Sequence, residues 1–257
     1  MDWVVETFVE DAELYVSDLT RRVEGTPAQV ADLLSLLAAH DQFPERALDV
    51  ACGIGRHSIA LAHHGIEAHG FDVSPTYVEW ARDDAAAAGV ADRTKFFVHD
   101  MRSVGELSGS YDLVTSLYNS FGYYDDETNE RVLRGFAERL APDGTLVLLV
   151  ANKEAVLDSF ETEAVHRVDE QLWLDDRRYD PHTSRLHTTH RVYDGESSEF
   201  LGQLVTDLRL YAPVELRRLL ERVGFEVELY ASLTGDALTR TSTRLVACCR
   251  TPESNAG

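Results

Sequence analysis

The distribution of apolar residues along the chain predicts an alternation of strands and helices. Apolar runs too short to form helices lie at 47–51, 66–71, 94–98, 112–117 and 145–150. Segments with helical character lie between them, at 56–64, 74–89 and 126–140. Continuous apolar strands that alternate with helices are typical of a parallel sheet covered by helices on both faces.

Both ends of the chain carry further elements. Residues 1–41 read as helices, and Thr26 is expected to cap one of them, with Pro27 in its first turn and Gln29 completing a capping box. Near the other end, a helix is predicted to begin at Pro213 and to end at Gly224. Two more strands are expected at 225–231 and 244–249, which form a hairpin.

Residues 152–211 interrupt this alternation. The runs QLWLDDRRY, RLHTTHRVY and LVTDLRLY are separated by the turn-forming sequences YDPHTS and YDGESS. This pattern predicts antiparallel strands joined by tight turns, inserted after the fifth parallel strand as a lid or substrate platform. The chain is accordingly divided into an N-terminal helical cap (1–43), a ligand-binding core (44–151), the inserted antiparallel region (152–211) and the C-terminal part of the core sheet (212–251).

Length and charge narrow the function classes. A chain of 257 residues accommodates one large domain with an insertion. Its 45 acidic and 24 basic residues give a formal net charge of −21, which repels nucleic acid phosphates and anionic lipid. Lys95 and Lys153 are the only lysines. Scarce lysine together with excess carboxylate favours a protein adapted to molar salt over an ordinary acidic enzyme, since salt screens self-repulsion.

The sequence predicts a cytoplasmic protein. No apolar run approaches the roughly 18 residues of a membrane span, and the acidic first residues do not resemble a signal peptide. The cysteines Cys52, Cys248 and Cys249 are odd in number and two are adjacent, which argues against a disulfide framework.

Candidate ligand-binding residues follow the first three strands. The segment LDVACGIGRHS (48–58) places Gly53 and Gly55 in a tight turn between a strand and a helix, where backbone can approach a ligand. Asp72 ends the second strand and can accept hydrogen bonds from both hydroxyls of a ribose. Asp100 and Met101 follow the third strand. The carboxyl ends of parallel strands lie at one edge of a sheet, so these residues are expected to meet there.

Two kinds of ligand use such an edge. A dinucleotide site has the pattern G-x-G-x-x-G, but Ser58 stands at the third glycine position here. Asp49 at the end of the first strand favours a cationic ligand over a pyrophosphate. S-adenosylmethionine, which carries a sulfonium and an ammonium group, therefore fits better than a nicotinamide dinucleotide.

With these motifs the sequence resembles a class I S-adenosylmethionine-dependent methyltransferase of the small-molecule branch that includes amino-sugar N-methyltransferases. The similarity is strong over 44–151, in LDVACGIGRHS, GFDVS, HDMR, YDLVTSLYNSFGYY and LAPDGTLVLLV, and weaker in EDAELY and LRLYAPVELRRLLERVGFEVELY. The resemblance implies a Rossmann-like α/β fold: a seven-stranded sheet, mostly parallel with an antiparallel last strand, with the inserted antiparallel β lid added.

The resemblance also implies roles for individual residues. It implies that the methionine moiety lies on the backbone of Ala51, Cys52 and Gly53, with Asp49 behind it and Gly55 in the same loop. It implies that Asp72 binds the ribose and that Val73, Asp100 and Met101 contact the adenine. Leu117 would then lie near the sulfonium, and Tyr15 would close over the cofactor. Ala51 stands where the family commonly has glycine. An alanine fits this position if its φ is negative and only its carbonyl faces the ligand.

Methyl transfer from a sulfonium needs alignment more than acid–base chemistry, so a general base is necessary only if the nucleophile arrives protonated. Tyr118, Asn119, Arg209 and Tyr211 are weak catalytic candidates that can equally bind or pack. The aromatic residues Tyr118, Phe121, Tyr123 and Tyr124 are candidates for a pocket wall. His63 with His64 and His187 with His190 point apart on their elements, so no metal site is expected.

The favoured function is S-adenosylmethionine-dependent methyl transfer to a small-molecule acceptor. The segment YNSFGYY (118–124) lacks the Asn/Asp-Pro-Pro-aromatic motif of nucleobase amino-methyltransferases, which argues against nucleic acid. The alternatives are an NAD(P)-dependent oxidoreductase and a non-catalytic S-adenosylmethionine-binding module. The sequence leaves open the acceptor, the atom methylated and the oligomeric state.

Overall fold

A computed structural model describes residues 2–251 and contains one large and one small sheet. The strands of the large sheet are β1 (Arg46–Val50), β2 (Glu67–Asp72), β3 (Thr94–Val98), β4 (Tyr111–Ser116), β5 (Leu140–Ala151), β10 (Glu226–Tyr230) and β11 (Arg244–Arg250). Their order is β10-β11-β5-β4-β1-β2-β3. The first five strands are mutually parallel, whereas β11 is antiparallel to both β5 and β10. The sheet and its antiparallel last strand are as predicted.

Helices cover both faces of the large sheet. They are α1 (Trp3–Val5), a π-helical turn (Glu6–Glu10), α2 (Ala12–Thr20), α3 (Thr26–Ala39), α4 (Arg56–His63), α5 (Pro75–Ala87), a 3₁₀ turn (Met101–Glu106), α6 (Asp126–Arg139), α7 (Lys153–Asp158) and α8 (Pro213–Val223). On one face α6 packs on β4 and β5 and α8 packs on β10 and β11, in a cluster that includes Leu48 and Val50. On the other face α4 packs on β1 and on α3, in a cluster that includes Ala47. Within residues 2–251, no helix has the length and apolar composition of a membrane span.

The inserted region forms the smaller, four-stranded antiparallel sheet. Its strands are β6 (Glu163–Val168), β7 (Gln171–Asp180), β8 (Arg185–Asp194) and β9 (Phe200–Arg209), in that order. The short helix α7 precedes them and was not predicted. The apolar centre of this sheet, with Trp173 and Leu204, packs against Leu14 and Tyr15 of α2. The small sheet therefore meets the N-terminal helices.

The predicted capping box at Thr26 is wrong. Helix α3 begins at Thr26 itself, after Gly25, and has no side-chain cap. The Thr26 hydroxyl donates to the carbonyl of Arg22, and the Gln29 amide oxygen accepts a bond of 2.8 Å from Arg56. A tertiary contact with a buried guanidinium has replaced the local cap.

Candidate active site

A cavity of about 790 Å³ lies at the carboxyl ends of the parallel strands. The proposed cofactor residues that line it are Tyr15, Ala51, Cys52, Gly53, Asp72, Val73, Met101 and Leu117. Asp49, Gly55 and Asp100 do not line it. Helix α2 closes the cavity from the N-terminal side through Tyr15, Asp18 and Arg22. The edge predicted from the sequence is thus a cavity with a helical cover.

The loop after β1 is held in a left-handed conformation at three positions. The φ angles are 53° at Ala51, 55° at Gly53 and 74° at Gly55. Ala51 therefore does not meet the condition of a negative φ. At Gly55 an added Cβ would lie 2.8 Å from Ala81 Cβ and from the Phe96 ring, so only glycine lets the loop pack on helix α5 and strand β3. The loop tolerates an alanine at position 51 at a conformational cost.

Ala51→Gly should raise the free energy of unfolding by about 1 kcal/mol. The substitution removes the left-handed strain of an L-residue, and part of this gain is offset by the greater chain entropy of glycine. Chemical denaturation of both proteins measures the difference. Ala86→Gly, at an exposed position of helix α5, is the matched control and should lower stability by about 1 kcal/mol. An Ala51→Gly variant no more stable than the parent would show that the φ angle is not strained.

Asp72 holds the loop through both of its carboxylate oxygens. One oxygen accepts the Gly53 N–H at 2.8 Å and the other accepts the Ser74 N–H at 3.0 Å, at the start of helix α5. Burial raises the pKa of Asp72, although these backbone bonds oppose the increase. An ionised carboxylate has about four acceptor positions. Two remain, enough for the two hydroxyls of a ribose.

Asp49 lies behind the loop and is only 2% exposed. Its carboxylate accepts hydroxyl bonds from Ser58 at 2.9 Å and from Thr115 at 3.1 Å. Burial raises the pKa of Asp49 to about 6, and the two hydroxyls limit the rise. The hydroxyl of Ser58, which stands at the third glycine position of the dinucleotide pattern, thus donates its hydrogen bond to the Asp49 carboxylate. Asp49 can attract a cation through the loop without touching it.

Cofactor affinity should fall as the pH drops through about 6, where Asp49 becomes protonated and loses its charge. A cationic ligand stabilises the ionised form of a nearby carboxyl, so binding and protonation oppose one another. Titration calorimetry with S-adenosylhomocysteine, whose ammonium remains, at several pH values measures the effect. Asp49→Asn should lose the step near pH 6; the same step in that variant would assign it to another group.

Asp100 forms a local ion pair. Its two oxygens accept bonds of 3.0 and 2.9 Å from Arg102 Nε, and one caps the following 3₁₀ turn. Burial opposes ionisation, but these bonds from Arg102 hold the pKa of Asp100 below its usual value. The neighbouring Met101 is buried and lines the cavity. The third strand end therefore presents a thioether to the cavity and a carboxylate beside it.

The end of β4 brings Tyr118 to the cavity in a second strained turn. The φ angles are 56° at Tyr118 and 68° at Asn119. The Tyr118 ring stacks on His57 at 5.4 Å between centroids, and the Arg56 guanidinium carbon lies 4.5 Å from its centroid. Burial lowers the pKa of His57 well below its usual value, so this imidazole is neutral at pH 7. Tyr118 is thus held rigidly by the start of helix α4.

The other two weak catalytic candidates lie elsewhere. Arg209 pairs with Asp126 at 3.0 Å, and its guanidinium lies over the ring of Tyr211. Tyr211 is buried in the core, where it stacks on Phe121. Neither Arg209, Tyr211 nor Phe121 lines the cavity, whereas Tyr123 and Tyr124 do.

A second chamber of about 970 Å³ joins the first. Residues that line both chambers are Phe8, Tyr15, Asp18, Arg22, Tyr118 and Tyr123. One face of the small sheet supplies the remaining wall, with His166, Trp173, Asp175, Arg177, Leu186, Thr188, His190, Thr206 and Leu208. The sequence predicts a substrate platform in this region, but no pattern in it marks these residues as the ones that line the chamber.

A polar network lies on that face of the small sheet. Asp175, 5% exposed, accepts a bond of 2.7 Å from His190 Nδ1 and one of 2.8 Å from Arg177. Thr206 Oγ1 lies 3.1 Å from His190 Nε2. Burial opposes ionisation, yet bonds from His190 and Arg177 keep the pKa of Asp175 below its usual value. Beside the Trp173 ring, this network offers hydrogen-bonding groups to a polar ligand.

The groups around the first chamber fit an adenosyl cation. The Gly53 N–H, which a dinucleotide site would offer to the pyrophosphate, is bonded to Asp72, and the Ser58 hydroxyl is bonded to Asp49. Two buried carboxylates therefore stand where a dinucleotide would bring negative charge. The same carboxylates favour a ribose and a positive ligand.

Comparisons with known proteins relate the chain to methyltransferases. Residues 47–144 match the methyltransferase domain family. The putative methyltransferase YqeM of Bacillus subtilis is 26% identical over 216 residues, 78% of this chain and 85% of YqeM. The next curated methyltransferases are matched over about half of their own length (51% and 48%).

Solved structures show the same fold. An S-adenosylmethionine-dependent methyltransferase from Clostridium acetobutylicum has a TM-score of 0.80 at 12% identity, over 94% of this chain and 98% of that one. CalS10, an amino pentose methyltransferase from Micromonospora echinaspora with S-adenosylmethionine bound, has a TM-score of 0.63 at 20% identity, over 92% and 97% of the two chains. The matches do not support the oxidoreductase alternative. Residues 47–144 match a methyltransferase domain, and nearly all of the chain shares the fold of solved S-adenosylmethionine-dependent methyltransferases.

Proposed function

We propose that this methyltransferase holds a small-molecule acceptor in the second chamber, with the inserted sheet as its platform. The observation that carries the proposal is the junction of the two chambers, where Tyr15, Tyr118 and Tyr123 line both. A methyl donor in the first chamber would have its reactive end toward Leu117, at the end of β4. An acceptor in the second chamber would reach that point from the opposite side, as in-line displacement requires.

The residues at the junction act by alignment and by excluding water. Burial raises the pKa of Tyr123 well above its usual value, and that of Tyr15 likewise, so both phenols stay protonated at neutral pH. They are hydrogen-bond donors and apolar walls rather than bases. S-adenosylmethionine supplies an activated methyl group on sulfur. Alignment of two reactants contributes at most roughly 7–11 kcal/mol to such a reaction.

The cofactor roles stay as the resemblance implies them except at Asp100, which does not line the first chamber, and the contacts refine two others. Asp72 would bind the ribose with the acceptor positions that Gly53 and Ser74 leave open. Asp49 would act through its charge, since Ser58 and Thr115 lie against it. Val73 and Met101 would line the adenine, and Tyr15 would cover the site.

The acceptor class is a small polar metabolite rather than nucleic acid. The second chamber has a mixed lining of aromatic rings and hydrogen-bonding side chains, which suits a compact molecule with several polar groups. CalS10, a methyltransferase of amino pentoses, is one such precedent. The net charge of −21 disfavours a polyanionic partner.

Labelled S-adenosylmethionine with a cell extract tests the function. The protein should transfer label to a low-molecular-weight product, and Asp72→Ala should abolish most of this transfer. Cofactor binding without any labelled product, from extracts or from a panel of amines, phenols and acids, would favour a non-catalytic binding module. Tight NAD binding without S-adenosylmethionine binding would favour an oxidoreductase.

We also propose that the protein works in the cytoplasm of a salt-adapted cell. The net charge of −21 and the two lysines support this. The melting temperature should rise by several degrees from dilute buffer to molar KCl, because salt at about 1 M screens charges beyond about 3 Å. A non-ionic osmolyte at equal osmolality is the control. An equal gain in both solutions would exclude charge screening as the cause.

A further inference from the structure

An open groove beside the two chambers concentrates positive charge. It has a volume of about 1040 Å³, and its nine lining residues include Arg21, Arg22, Tyr118, Asn119 and Arg244. Three of these side chains are arginines and none is acidic. In a chain with 24 basic and 45 acidic residues, such a lining is unusual. Tyr118 and Arg22 also line both chambers, so the groove opens onto the proposed reaction site.

The arginines of the groove are incompletely neutralised. Arg21 and Arg22 share one carboxylate, that of Asp18, with contacts of 2.5 Å each. Arg22 Nε is buried without a hydrogen-bond partner. Arg244 forms no ion pair with any residue between 2 and 251, and its guanidinium carbon lies 4.9 Å from the Tyr118 ring centroid. The three arginines thus carry a net charge of +2 after Asp18 is counted.

Further donors are fixed around the same point. The Asn119 side-chain oxygen accepts the Ala151 N–H at 2.6 Å, which orients the amide and leaves its NH₂ without a partner among the described residues. A fourth arginine, Arg56, has its guanidinium carbon 4.5 Å from the Tyr118 ring centroid and bonds only to neutral oxygens, those of Thr26 and Gln29, at 2.8 Å. Positive charge therefore lies against the Tyr118 ring from Arg56 as well as from Arg244.

We propose that this groove binds an anionic group, a carboxylate or a phosphate, of the methyl acceptor, with Arg244 and Arg22 as its main contacts. Guanidinium groups bind such oxyanions through paired charge-assisted bonds. The acceptor is then an acid or a zwitterion whose anionic end lies in the groove and whose nucleophile reaches past Tyr118. This inference rests on the proposed function and specifies its substrate class.

Titration calorimetry on the protein saturated with S-adenosylhomocysteine tests the groove, with inorganic phosphate and malonate as probes. At least one probe should bind, and Arg244→Ala should weaken it by about tenfold or more, whereas Arg244→Lys should weaken it less. Arg250→Ala is the matched control, since Arg250 lies on the same strand but pairs with Glu228 at 3.8 Å. The relative affinities of phosphate and malonate distinguish the two anion types.

Three results would overturn the proposal: no binding of either probe, equal binding by Arg244→Ala and the parent, or an Arg244→Ala variant that loses S-adenosylhomocysteine instead. The last result would assign the groove to the methionine carboxylate. The labelled product from cell extract gives an independent test, because its mass spectrum should show a carboxylate or a phosphate group. A labelled product with neither group contradicts the acidic acceptor alone, whereas no labelled product contradicts the proposed function.

Discussion

Asp72→Ala should weaken cofactor binding by at least about tenfold. Each hydrogen bond to an ionised group contributes about 1.5–3 kcal/mol, and a ribose would offer two of them. The substitution also releases the Gly53 N–H and the Ser74 N–H, which Asp72 now holds at 2.8 and 3.0 Å. The loop that shapes the methionine end of the cavity would then lose its anchor, so the total effect should exceed that of the ribose bonds alone. Titration with S-adenosylhomocysteine measures it.

Asp112→Ala is the matched control for this substitution. Asp112 also accepts two backbone bonds, from Glu45 and Arg46 at 2.9 and 2.8 Å, but at the amino ends of the strands. Both variants should lose some stability, whereas only Asp72→Ala should lose cofactor affinity. A folded Asp72→Ala protein with the affinity of the parent would show that the ribose is bound elsewhere.

Trp173→Ala should lower the free energy of unfolding by about 3–5 kcal/mol. Trp173 is 2% exposed at the centre of the small sheet and contacts Tyr15 of helix α2 at 6.1 Å between ring centroids. Its removal leaves a cavity between the small sheet and the N-terminal cover, in the wall of the second chamber. Methyl transfer should fall with stability, since the acceptor platform loses its attachment to Tyr15. Thermal denaturation and turnover measured together test both effects.

Trp173→Phe separates packing from the indole hydrogen bond. Phenylalanine keeps a ring against Tyr15 and loses the bond from the indole nitrogen to Gln171 at 3.0 Å. It should retain more of the stability and turnover than alanine does. A Trp173→Ala protein with the melting temperature of the parent would show that the small sheet does not depend on this contact.

The elements of the core could be predicted because their signals are local. Ser74 caps helix α5 through the Tyr77 N–H, and Pro75 follows it, so the sequence alone locates the start of this helix. Gly224, with a φ of 106°, ends helix α8, and this glycine is also visible in the local sequence. Thr26 carried an equally good local signal that failed, because Arg56, 27 residues from Gln29, binds the Gln29 amide instead.

At Ala51, too, tertiary contacts override the local preference, here for a single dihedral angle. Its residue type favours a negative φ, yet closure of the loop between β1 and α4 places it at 53°. The loop is held from outside, by the bond from Cys52 N to the carbonyl of Phe71 at 2.9 Å and by Asp72. Local preference decides a backbone angle only where tertiary bonds do not oppose it.

The sequence by itself determined the parallel sheet, the antiparallel insertion and the edge at which Asp72 and Met101 meet, because strand ends in a parallel sheet lie together whatever the helices do. Only the tertiary structure decided which face of the small sheet meets that edge. Thr206 and Leu208 line the second chamber, while Arg209, one position further along β9, points to the other face. Side chains alternate between the two faces of each strand with a period of two residues, as the sequence already shows. Which face is directed inward depends on packing against Tyr15, more than 150 positions away in sequence.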